Sequence, residues 1–105
     1  VYHVDDFPIL ADAFPEAGDL RPCGASFQTI DVDGYRLALI GVLVDDNPAV
    51  TAGRLAHESL HCLNAVYRHA GQEWDLDNDE HNAYSLQHLV YHAMIAVERM
   101  GNRGA

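Results

Sequence analysis

The sequence predicts an α+β domain: a small antiparallel sheet, with a hairpin near residues 27–44, packed on two long helices. Three observations carry this prediction. Asp33-Gly34 separates two strand-like stretches, FQTIDV and YRLALIGVLV. Asn47-Pro48 opens and Gly71 closes a long stretch with helical apolar periodicity. A second stretch of that kind runs from about residue 79 to residue 100 and stops at Gly101.

The elements follow in chain order. Pro8, Pro15, Pro22, Gly18 and Gly24 predict an irregular segment over residues 1–25, with one short helical turn after Pro8. Residues 1–4 are a candidate third strand. Asp-Gly is a two-residue hairpin signal because glycine tolerates the positive φ the turn needs, so strands are expected at 27–32 and 35–44. The second strand is almost continuously apolar from Leu37, which predicts cover on both faces over part of its length. Asn47 suits an N-cap and Pro48 the first helical position, giving a helix over 48–70. Its apolar arc is Ala52, Leu55, Ala56, Leu60, Cys62, Leu63, Val66 and Tyr67. His57, His61, Asn64 and Arg68 fall within about 60° of one another on the remaining stripe. Residues 71–78 read as a loop, and the second helix, 79–100, carries a core stripe of Ala83, Leu86, Val90, Met94 and Val97.

With 105 residues, the chain is expected to form a single domain, 1–105. Its composition, 49% hydrophobic, is that of a globular chain rather than a disordered one. No apolar run reaches the roughly 18 residues of a membrane span, and VYHVDDFPIL lacks the features of a signal peptide. Two cysteines, Cys23 and Cys62, are too few for a disulfide framework, so reduced thiols and a cytoplasmic location are expected. Six basic against sixteen acidic residues give a formal charge of −10, which repels polyanions and removes nucleic acid and anionic membrane from the expected partners.

The chemistry concentrates in HESLH at 57–61. Residues four apart on a helix share a face, so His57 and His61 can present ring nitrogens to one tetrahedral ion at about 2.0–2.1 Å. Glu58 is rotated by about 100°, too far to join as a third ligand but able to reach a water beside the ion. That arrangement suits a zinc hydrolase, in which the metal acidifies water and the carboxylate takes the proton. Seven histidines and five glutamates would produce this pattern by chance in roughly 2% of shuffled chains. Cys62 points about 100° away from His61, toward the packed side, and is not read as a ligand. The metzincin extension would need Gly at 64 and His at 67, where the chain has Asn64 and Tyr67. A catalytic zinc ordinarily has three protein ligands, and Glu80, nineteen residues after His61, is the candidate from the second helix.

HESLH followed by DNDEHNAY resembles the gluzincin branch of the zincin metallopeptidases, HExxH…E. It is more closely similar to very small zincin-like proteins of bacteriophages and bacteria, which pair AHE-x-x-H with a later DE-x-x-AY. The resemblance covers about residues 53–91. It implies a minimal zincin-like fold, zinc held by His57, His61 and Glu80, and Glu58 as general base. One geometric requirement stands beside it. A straight antiparallel hairpin about residue 74 would set His61 opposite residue 87, leaving Gln87 or His88 nearer than Glu80. Glu80 then reaches the pair only if the loop runs back along the first helix or the helices cross steeply. His88, Asp77 and Asp79 stay open as alternatives.

Other residues have two readings each. DLDNDE has the alternating acids of a calcium loop, but its sixth and twelfth places hold Glu80 and Leu86 where glycine and glutamate are needed. The simpler reading is a helix start, with Asp77 or Asn78 as N-cap. His88 and His92 are also four apart, with His81 on the same side, and read as exposed or as a polar border. Tyr84, one turn after Glu80, can donate its hydroxyl to an oxyanion as a catalytic residue, or pack with that hydroxyl satisfied. Asn64 is placed to orient the His61 ring, and Trp74 to cap the core.

The function expected is that of a zinc-dependent metallopeptidase-like protein acting on a peptide or protein substrate. An extended peptide would lie along the sheet edge. The alternative is a catalytically inactive zinc-binding interaction protein, of phage origin on the resemblance, and a third reading is an acidic interaction module without metal.

Overall fold

In the computed structural model of the chain, which describes residues 1–18 and 24–100, Asp33 and Gly34 take φ values of 50° and 83°. Two successive positive φ angles make a type I′ turn, whose twist matches the strands it joins, and glycine holds the second position without steric cost. The strands are β2, Ala25–Val32, and β3, Tyr35–Val42, antiparallel with Val32 opposite Tyr35 and Ala25 opposite Val42. Pro22 and Cys23, expected in the N-terminal loop, and Gly101, expected to end the second helix, lie outside the described residues.

The expected third strand is present as β1, Tyr2–His3, but it lies parallel to β3, pairing Tyr2 with Gly41 and His3 with Val42. The sheet is therefore mixed, in the order β1-β3-β2, rather than purely antiparallel. β2 occupies one side of β3 through the hairpin, so β1 takes the other. A 3₁₀ turn at Val4–Asp6 and helix α1, Phe7–Ala13, then carry the chain away, and no tight turn constrains β1 to run antiparallel. Gly41 makes the pairing possible: a Cβ there would sit 2.8 Å from Cζ of Tyr2 and 2.9 Å from Oγ of Ser26. α1 gives the N-terminal segment more order than a single turn, with Pro8 at its start, where a missing N–H costs nothing.

Helix α2 spans Pro48–Ala70 and helix α3 spans Glu80–Met100. The Asn47 side chain accepts from the Ala49 N–H at 3.0 Å and caps α2. At the other end Gly71, φ 71°, and Gln72 donate to the Arg68 and Tyr67 carbonyls, a Schellman closure. Ile40 and Val42 of β3, Leu55 and Cys62 of α2, and Ala93 and Val97 of α3 form the core cluster, flanked by Phe27, Leu89 and Met94. No helix among the described residues is long and apolar enough to cross a membrane.

Two faces differ from expectation. On α3 the buried positions are Asn82, Ala93 and Val97, while Ala83 is exposed and Leu86, Val90 and Met94 are half-buried. Asn82 is tolerated inside because the buried Tyr67 hydroxyl donates to its Oδ1 at 2.8 Å. On α2 the apolar residues Leu60, 42% exposed, and Val66 face outward, while Thr51, Glu58 and Ser59 are buried. The sheet lies against the side of α2 that carries Thr51, Leu55, Glu58 and Cys62, which share one face at spacings of three and four.

Candidate metal centre

His57 and His61 stand one turn apart near the middle of α2, and their Nε2 atoms are 3.3 Å from each other. Two metal–nitrogen bonds of about 2.05 Å at a tetrahedral angle of about 109° span a chord of about 3.3 Å. The same separation is within hydrogen-bond range, so without an ion one ring can donate to the other. The rings meet edge to face, with centroids 5.0 Å apart and planes at 70°. Both residues are exposed, so their ring nitrogens can exchange ligands with solvent.

The sheet reaches this pair. Phe27, on β2, stacks on His61 with ring centroids 6.5 Å apart and planes inclined by 21°. β2 is an edge strand, so one row of its main-chain groups has no strand partner among the described residues. Gln28 points to the other face of the sheet. There its side-chain amide accepts from the Gly18 N–H at 2.8 Å and donates to the Gly18 carbonyl at 2.9 Å.

Glu58 is 7% exposed. It shares with Gly24, Ala25, Gly53, Arg54 and His57 a shallow recess of about 440 Å³. Arg54 holds one wall of this recess, donating from Nη1 to the Leu43 carbonyl at 2.8 Å. A larger recess, about 550 Å³, lies away from these residues at the C-terminal end of α2, between Asn64, Tyr67, Gly71 and Trp74. Cys62 is buried in the core, and burial pushes its thiol pKa up, which keeps it a neutral packing residue.

The other candidates lie elsewhere. Glu80 is the first residue of α3 and is exposed. The Tyr67–Asn82 bond fixes one point of the register of the two helices, and Val97 shares the core cluster with Leu55 at the far end, so α3 runs back antiparallel along α2. In that register Glu80 lies opposite residue 69, about 12 Å along the axis from His61. The His57–His61 line is also about 120° round α2 from the Leu63–Tyr67 line that faces α3. Among the described residues, no group of three or more His, Cys, Asp or Glu side chains gathers about one point. The structure thus brings His57, His61 and Glu58 into one neighbourhood and leaves Glu80 outside it. Tyr84 is exposed and lines a groove with Leu63, Tyr67, His81 and His88, apart from the recess that holds Glu58. Asn64 accepts from the Trp74 indole at 2.7 Å, which pins the inter-helix loop to α2.

Two features of the site were missed in the sequence, the Phe27 ring and the burial of Glu58. The second had a signal: Glu58 is three residues after Leu55 and four before Cys62, both buried. No family profile, curated protein or solved structure matches the chain.

Proposed function

We propose that this chain is a zincin-like, zinc-dependent metallopeptidase-type protein, in which His57 and His61 hold the ion and Glu58 is the general base. The observation that carries the reading is the 3.3 Å separation of the two Nε2 atoms, with the Glu58 carboxylate in the adjoining recess. When bound, zinc supplies Lewis-acid polarisation of the scissile carbonyl and lowers the pKa of a water. Glu58 takes the proton from that water on a carboxylate oxygen and hands it to the leaving amine. The half-buried Phe27 ring holds the His61 imidazole in place, and the open edge of β2 offers main-chain groups to an extended peptide. Glu80 is the third ligand that the resemblance implies. Its participation requires α3 to shift by about 12 Å along α2 and to swing about 120° round it.

The test is metal content together with hydrolysis. Untagged protein with His88 replaced by alanine, titrated with zinc in metal-free buffer, should bind about one zinc per chain at the His57–His61 pair. Glu58→Gln should keep that zinc and lose all cleavage of a broad peptide library. Wild type and Glu58→Gln equally inert on the library would remove the enzyme reading. A second reading, a zinc-binding interaction protein without turnover, is favoured by the absence of a third ligand group among the described residues. Bound zinc in the wild type, together with no cleavage that depends on Glu58, marks this second reading.

A further inference from the structure

We infer that His88 and His92 form a second metal site, on α3, for a first-row divalent ion of the copper, nickel or zinc class. The two residues are four apart on one helix and so share a face. Their ring centroids are 4.3 Å apart with planes at 69°, so the two imidazoles stand side by side on that face. Both are exposed, and among the described residues no hydrogen bond or ion pair engages their ring nitrogens. An incoming ion therefore displaces water alone. Tyr91 meets the His92 ring edge to face at 5.3 Å, which limits the directions that ring can take. On the His88 side of the pair, Tyr84, Gln87, His88 and Tyr91 line an open recess of about 440 Å³ that can hold water.

The donor set decides the ion. The helix positions one turn from either histidine include Tyr84, Ser85, Ile95 and Ala96, none of them acidic. Calcium and magnesium demand oxygen ligands, so an imidazole pair rejects them. Paired imidazoles follow the general order of affinity in which copper exceeds nickel and zinc. The formal charge of −10 draws cations toward the surface. With two protein ligands and solvent in the remaining positions, this site binds more weakly than a three-ligand centre. It fills when the ion is added and empties on dialysis.

The experiment uses full-length protein carrying His57→Ala and His61→Ala, so that the first pair contributes nothing. Calorimetric titration with copper(II) chloride should show one ion per chain. Adding His88→Ala should weaken that binding at least tenfold, and adding His92→Ala as well should weaken it little further, because a chelate fails when either arm is lost. Unchanged affinity in the His88→Ala protein overturns the inference. So does a loss shared equally between the two replacements, the mark of independent histidines. Paramagnetic bleaching of amide resonances in the parent protein gives a reading that needs no further variant. Bleaching centred on residues 88–92 supports the site, and bleaching centred on His3, His69 or His81 overturns it.

Discussion

The His57–His61 pair makes a quantitative prediction about stability, because its ligands are exposed while the ion they would hold binds only the folded helix. The perturbation is His61→Ala, made in protein whose His88 and His92 are already alanine so that the second pair is silent. Without metal the replacement removes from an exposed side chain only the distant stacking on Phe27, and alanine is the better helix former, so stability should stay within about 0.7 kcal/mol of the parent. With free zinc at a hundred times its dissociation constant, the parent should gain about 2.7 kcal/mol. At about 4–8 °C per kcal/mol for a domain of this size, that is a rise in Tm of about 10–20 °C. His61→Ala should lose nearly all of that rise, because one imidazole remains where two converged at 3.3 Å. Thermal unfolding by circular dichroism, in chelator and in zinc, reads both quantities on the same samples. Equal zinc-induced shifts in parent and His61→Ala would refute the reasoning, as would a parent that zinc leaves unmoved.

Three further outcomes are expected. Tyr67→Phe leaves Oδ1 of the buried Asn82 without its donor and should cost about 1–3 kcal/mol in urea unfolding; Asn82→Leu added to it should recover most of the loss. Gly41→Ala drives a Cβ to 2.8 Å from the Tyr2 ring and should cost about 1–3 kcal/mol, and Tyr2→Ala in the same chain should relieve part of it. The raised pKa of Cys62 sets a sign for pH dependence: its contribution is complete below the ordinary thiol range, about 8.5, and is lost as pH climbs from there toward the folded value. Urea midpoints across that alkaline window should fall in wild type and fall less in Cys62→Val.

The parts of this fold that local chemistry dictates were legible in the sequence. Asp33-Gly34 specifies its turn through two residues, and Asn47-Pro48 and Gly71 bound α2 through caps that touch only their own helix. What escaped depends on contacts distant in sequence. β1 pairs in parallel because Gly41 leaves room for Tyr2, thirty-nine positions earlier. The buried face of α3 takes in Asn82, bonded to Tyr67, and nothing in the apolar periodicity of α3 announces it. At the candidate site the histidine pair was legible because four-residue spacing is itself the geometry of chelation. A third ligand was not, since it depends on the side of α2 against which α3 settles.

The outer edge of β2 carries one more consequence. A row of amides and carbonyls beside Phe27, without a strand partner among the described residues, does not distinguish a visiting peptide from the same row on another molecule of this chain. Self-association through that border would therefore compete with whatever the strand receives. The charged Asp31, bonded across the hairpin to Arg36, stands near its far end as a guard against such stacking.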